Sequence, residues 1–323
     1  MLIHMDGFDQ FANMTTTVLA TELAAAGYTL AANTAINIGD GRTSDTKALV
    51  LGSKTTAGNI KRTFESNSPL TVIGFAYMAE TARDNIMAIT NGITLEWPDK
   101  LQINGSKGTV TPVLGIWYYY EIVLDKTQGQ IQIYVNNVLD LAIPMPSAMQ
   151  SLTSFECTWS NPANSVKRLD DLFVLNNGAG GLTARVGPQA IALRLPTVDF
   201  VKEWSPATGD DHFAMVDNRP PNDTEFIKSS TSGAQDLFKS GQTVGTGTIT
   251  AVGVVVRARK NDIDARQLGV VVGPKGATQK ENLITTLDVT PKYFYSFFSQ
   301  APGNVAWDNT NLLDTPFGVV VRP

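Results

Sequence analysis

The sequence predicts an all-β chain built as two antiparallel sandwiches, the first larger than the second. Three observations carry that prediction. Residues 116–143 read Ile-Trp-Tyr-Tyr-Tyr-Glu-Ile-Val-Leu-Asp, a polar turn, then Gln-Ile-Gln-Ile-Tyr-Val-Asn-Asn-Val-Leu-Asp-Leu-Ala-Ile, which has the two-residue period of half-buried strands. Short apolar runs separated by Gly, Asn and Pro turns recur through the first half of the chain. The glycine-rich run Asn176–Gly181 then separates this pattern from a second region with strands of its own.

Within the hairpin, Ile131, Ile133 and Val135 alternate with Gln130, Gln132 and Tyr134, and Trp117 and Tyr119 point away from Tyr118 and Tyr120. Trp117, Ile131, Ile133 and Val135 are assigned to the core. Asp125–Gly129 supplies the first turn and Asn136-Asn137 the second. Upstream, Asp6–Phe11 reads as an entry strand anchored by Phe8 and Phe11. Thr16–Ala26 is a short Ala- and Leu-rich helix stopped by Gly27. Strands are expected near 35–38, 48–51, 60–64, 70–78, 86–90, 93–97 and 101–103, and closing strands near 152–159 and 168–175. The last, Arg168-Leu-Asp-Asp-Leu-Phe-Val-Leu175, resembles the closing strand of laminin-G-like jelly rolls, and that resemblance implies that it rejoins the entry strand and brings Phe173 near Phe8 or Phe11. In the second region, residues 185–195, 230–238, 247–260, 264–272 and 285–297 read as strands, and 204–212 and 216–227 as long polar loops. The domains are therefore placed at 1–178 and 185–323.

A length of 323 residues suits two domains of this kind. With 43% hydrophobic and 17% charged residues, the chain has enough apolar material for real cores. Its net charge of −5, with Lys and Arg dispersed, argues against nucleic acid as a partner. The single cysteine, Cys157, excludes an intrachain disulfide and reads as a buried thiol. The N-terminal residues lack a charged and apolar leader, and no apolar run reaches the ~20 residues of a membrane span. Folding in a reducing cytoplasm is expected.

The inventory for catalysis is thin. Only His4 and His212 are present, there is no Gly-x-Ser-x-Gly elbow, and the acidic pair Asp170/Asp171 is adjacent, which would send its carboxylates to opposite faces of a strand. Asp171 reads instead as a turn acceptor beside Arg168. No catalytic residue and no cofactor is assigned, and the chain is not expected to be an enzyme. Asp210, Asp211 and Asp217 lie in polar loops and are the candidates for Ca²⁺. Trp97, Tyr118 and Tyr120 are the candidates for stacking on a sugar ring, although half of such alternating aromatics must enter the core.

The aromatic meander ending in Tyr134-Val-Asn-Asn137, with the closing run Arg168-Leu-Asp-Asp-Leu-Phe-Val-Leu175, resembles jelly rolls of the concanavalin and laminin-G type. A longer series is also similar to a family of tailed-bacteriophage virion proteins. It runs from Arg168 through Leu193-Arg-Leu-Pro, Trp204-Ser-Pro-Ala-Thr-Gly, His212–Ile227 with its Pro-Pro-Asn-Asp loop, and Gln235-Asp-Leu-Phe to Ile249–Lys260. The similarity covers residues 165–323 well and the first domain more loosely. Segment 269–276 is shorter and less polar than the family pattern. The resemblance implies a non-enzymatic structural protein of the virion, assembled in the host cytoplasm. Its first location is the tail or baseplate, with a head decoration, a fibre or a carbohydrate-binding receptor module as alternatives. Implied partners are copies of itself, other virion proteins and host surface glycan.

Overall fold

In the computed structural model, which describes residues 1–82, 84–177, 184–242, 245–276 and 278–323, the apolar alternation is spent on two facing sheets. The chain divides into two compact units, Met1–Ala192 and Leu193–Pro323. The glycine joint read from the sequence falls largely within 178–183, outside the described residues. Residues 185–192, read as the start of the second domain, are not strand and belong to the first unit.

The first unit has an eight-stranded antiparallel sheet in the order Val138–Pro144, Gln130–Val135, Tyr118–Asp125, Leu70–Ala79, Lys167–Asn176, Lys47–Leu51, Ile36–Asp40, with Leu2–Asp6 also paired to Lys167–Asn176. The other sheet runs Ser106–Lys107, Gln102–Ile103, Ile93–Glu96, Asn85–Ile89, Ser154–Asn161, Gly58–Glu65, Thr29–Leu30. Both are the products of period-two patterning with one face turned inward. Tyr120, Ile122 and Leu124 stand opposite Val135, Ile133 and Ile131, and all six are buried. Tyr120 stacks on Phe75 with ring centroids 5.6 Å apart, and Trp159 from the other sheet meets the Phe75 edge at 6.3 Å. Trp117 precedes its strand and is half-buried.

Turn chemistry fits the chain where it bends. Asn136 and Asn137 both take positive φ (47° and 73°), and the Asn136 Oδ1 accepts the Tyr119 N–H at 2.9 Å, so the turn residue also ties the next strand over. The helix spans Thr16–Ala25 and ends where Gly27 turns left-handed at φ 88°. The entry strand is Leu2–Asp6, followed by a one-turn 3₁₀ segment at Asp9–Phe11. The closing strand does rejoin it, with Phe173 opposite Met5. Phe8 packs on Tyr28, whereas Phe173 stacks on Tyr119 on the opposite face.

The second unit holds a five-stranded antiparallel sheet, Val198–Lys202, Gln235–Lys239, Phe317–Arg322, Gln267–Val272, Lys280–Ile284. A separate two-stranded antiparallel sheet, Val252–Ala258 with Lys292–Phe298, lays Val254 and Phe298 against Leu268, Val270, Val272 and Val319, with Trp307 and Ala301 closing this core. Lys280–Ile284 and Phe317–Arg322 escape a reading by alternation. The first carries Lys280, Glu281 and Asn282, and the second is a continuous apolar run whose central place in the sheet buries both faces.

Candidate functional site

The face of the eight-stranded sheet turned away from the core carries Tyr119, Glu121 and Phe173. Phe173, Gly74, Glu121 and Tyr134 form one row across four strands. Gly74 is required there, because a Cβ would sit 2.2 Å from the Phe173 ring. Glu121 is nonetheless only 1% exposed and Asp171 2%. Charges on an outward sheet face become buried only if something covers and pairs them.

The cover is residues 185–191. Arg185 donates through Nη2 to Glu121 Oε2 at 2.5 Å and to Asn137 Oδ1 at 2.7 Å, and its guanidinium lies 3.4 Å from the centre of the Tyr134 ring. The Gly187 N–H donates to Glu121 Oε1 at 3.0 Å, and the Ile191 N–H to Asp171 Oδ1 at 2.7 Å. Ile191 packs on Gly7, where a Cβ would meet it at 3.0 Å. Arg42 completes the clasp. Its Nε donates to Asp171 Oδ2 at 2.7 Å, its Nη2 to the Gln189 carbonyl, and its backbone N–H to Asp170 Oδ2 at 2.9 Å.

Two sequence readings are corrected here. Asp170 and Asp171 do not face opposite sides. The ladder slips between Asp170 and Phe173, and Asp171 takes φ 52°, so this bulge brings both carboxylates to Arg42. Asp171 is also not beside Arg168, which pairs with Glu80 instead. Burial raises both acids, and repulsion from Asp171 adds to push Asp170 up to about 7. The arrangement fastens an extended segment of the chain onto a sheet face, since all three acids accept from the chain's own donors.

The residues singled out from the sequence for ligands are dispersed. Trp97 and Tyr120 are 2% and 1% exposed, core side chains that offer no face to a sugar ring. Tyr118 is half-buried, and its hydroxyl accepts the Val113 N–H at 3.0 Å. Asp210 and Asp211 are exposed, the Asp210 carbonyl accepts from Lys202, and Asp217 lies near Glu225 with its carboxyl raised by burial. Among the described residues, no group of three or more His, Cys, Asp or Glu side chains is placed to hold a metal ion. Cys157 is buried, which pushes its thiol up.

His212, read as a lone loop histidine, is buried against Asp236. Asp199 accepts the His212 and Phe213 N–H groups at 3.0 and 2.7 Å. The clasp and this pair both escape local reading, because their partners are 13 to 147 residues apart.

No family model and no curated protein matches this chain. Among solved structures it is similar to a sialidase, at 12% identity and a TM-score of 0.39 over 54% of this chain, and spans only 18% of that protein. It is also similar to the globular domain of T. cruzi calreticulin, at 8% identity and TM-score 0.37, over 54% of this chain and 88% of that one. Domain 4 of an extracellular arabinanase from Geobacillus stearothermophilus gives 15% identity and TM-score 0.38, over 54% and 91%. These likenesses concern the fold alone. Among the described residues, no helix is long and apolar enough to cross a membrane.

Proposed function

We propose that this chain is a non-enzymatic structural component of a tailed-phage virion, in the tail or baseplate region, working through contacts with copies of itself and other virion proteins. The observation that supports this reading over catalysis is the engagement of the site's acids. Glu121, Asp170 and Asp171 are buried and accept from Arg185, Arg42 and backbone N–H groups, which uses them as fasteners of the chain's own backbone. A general acid or nucleophile must reach a substrate. The setting is proposed from the resemblance read in residues 165–323.

The test is to locate the chain in purified particles by mass spectrometry and in a reconstruction, then to delete residues 193–323. Loss of the truncated chain from particles is expected. Hydrolysis of a host surface polysaccharide that disappears with Asp171→Asn would replace this reading with an enzyme. Binding to such a polysaccharide by a chain absent from particles would favour a receptor-recognition module.

A further inference from the structure

The inside of a β-sandwich is filled by apolar side chains, so an ionisable group aimed into it calls for a partner and a reason. Lys167 is such a group. The strand Lys167–Asn176 buries Lys167 and Leu169, while Arg168 between them turns to the other face and pairs with Glu80. Lys167 is 1% exposed. Its side chain leaves the eight-stranded sheet and reaches the second sheet, where Nζ donates to the Asn85 carbonyl at 2.6 Å and to the Ser160 carbonyl at 3.4 Å. The Tyr77 hydroxyl donates to the same Asn85 carbonyl at 3.4 Å.

Asp84, the residue before the strand Asn85–Ile89, is ion-paired with Lys167. The Trp97 N–H donates to the Asp84 carbonyl at 2.9 Å and fixes its backbone. Both Asp84 carboxyl oxygens are buried, and among the described residues they have no hydrogen-bond donor besides Lys167. A carboxylate placed there is charged, shut off from water and short of donors. Burial lowers the Lys167 amine from 10.5 to about 7, so near neutral pH much of it is uncharged and nucleophilic. Proton transfer within the pair sets a neutral amine against a neutral acid, held together in a closed site where no encounter in solution is needed.

We infer that Lys167 and Asp84 condense to an intramolecular amide, a covalent tie between the two sheets of the first unit. Nζ attacks Asp84 Cγ and forms a C–N bond. The bond from Cγ to one carboxyl oxygen breaks, and that oxygen leaves as water with one hydrogen from the amine and one from the acid. Nothing is oxidised or reduced. The product puts a neutral carbonyl where the buried carboxylate was, and its one N–H keeps the Asn85 carbonyl as acceptor. The amide closes a long loop covalently in a chain whose single cysteine allows no intrachain disulfide. This inference rests on the pair itself and goes beyond the virion reading without depending on it.

The experiment uses the full chain, denatured so that an ion pair comes apart and an amide does not. Its intact mass is expected to lie one water below that of the sequence. Trypsin cuts after Arg83, Lys100, Lys126 and Arg168, so peptides 84–100 and 127–168 are expected as one joined species, uncut at Lys167. Lys167→Arg keeps a cation but offers no condensing amine, and Asp84→Ala removes the acid. Both should show the full sequence mass, separate peptides and a lower melting temperature. The parent's own mass decides the matter even where a variant fails to fold. A parent of full sequence mass with the two peptides apart overturns the amide, as does a water lost while these peptides stay separate, or a joined species that persists in Lys167→Arg. The tie found in a chain absent from particles sinks the virion reading and leaves this inference standing. Separate peptides from a chain present in particles do the reverse.

Discussion

The Nδ1–H of His212 donates to Asp236 Oδ2 at 2.5 Å, joining a loop to the five-stranded sheet inside the second unit. The other oxygen of Asp236 accepts the Glu203 and Trp204 N–H groups at 2.8 and 2.9 Å, and the residue is fully buried. One carboxylate thus holds a strand end and a loop start. Asp236→Ala would leave the buried His212 ring N–H and two partly buried backbone N–H groups without their acceptor, at a cost on the order of 2–4 kcal/mol in denaturant unfolding. A loss below about 1 kcal/mol would mean that water serves those donors equally well.

Ile133 is fully buried between Ile122 and Leu141 of the neighbouring strands. Ile133→Ala should cost about 2–4 kcal/mol through lost burial and the cavity left behind. Val138→Ala, at an exposed edge, should stay within about 0.5 kcal/mol. Equal effects at the two positions would reverse the register, because a one-residue slip exchanges the faces.

The acidic bulge makes stability depend on pH in a defined direction. Asp170 titrates near 3.8 when exposed and near 7 when folded, from burial and from Asp171, with Asp9 adding repulsion and the Arg42 N–H opposing. The folded state therefore holds the proton more tightly. Stability from this group is full below 3.8 and is lost as pH rises through about 7. The slope is at most one proton, about 1.4 kcal/mol per pH unit. Asp170→Asn should flatten the fall in unfolding midpoint across that window; an unchanged slope would assign the proton elsewhere.

The segment 185–191 supplies partners to Glu121 and Asp171, so a fragment ending at Ala192 should be more stable than one ending at Asn177. The difference expected is on the order of 2–5 kcal/mol, since the shorter fragment leaves two acids without their strap donors. Equal unfolding curves would show that the strap adds nothing to the first unit.

Much of the sheet was legible because its signals are local. Ile131, Ile133 and Val135 alternate within one strand, Asn136-Asn137 announces a tight turn, and Gly27 ends a helix one residue after Ala26. Each depends only on neighbours, through side-chain direction or allowed φ. The same reasoning misplaced Asp171, since adjacency implies opposite faces only while the ladder keeps register, and a bulge is set by what packs on both sides of the strand.

From its sequence alone, the protein was determined to be all-β, with an aromatic meander whose inward face fills a core and with a break in pattern near residue 180. Tertiary structure alone decided that Trp97 and Tyr120 are core and not platform, that residues 185–191 return to cover Glu121 and Asp171, and that Val138–Pro144 ends its sheet with a bulge at Asp140. The physical reason is separation along the chain. Periodicity sets which way a side chain points, but its partner can lie 64 residues away, as Arg185 does from Glu121, or 129, as Asp171 does from Arg42, and only the completed packing brings them together.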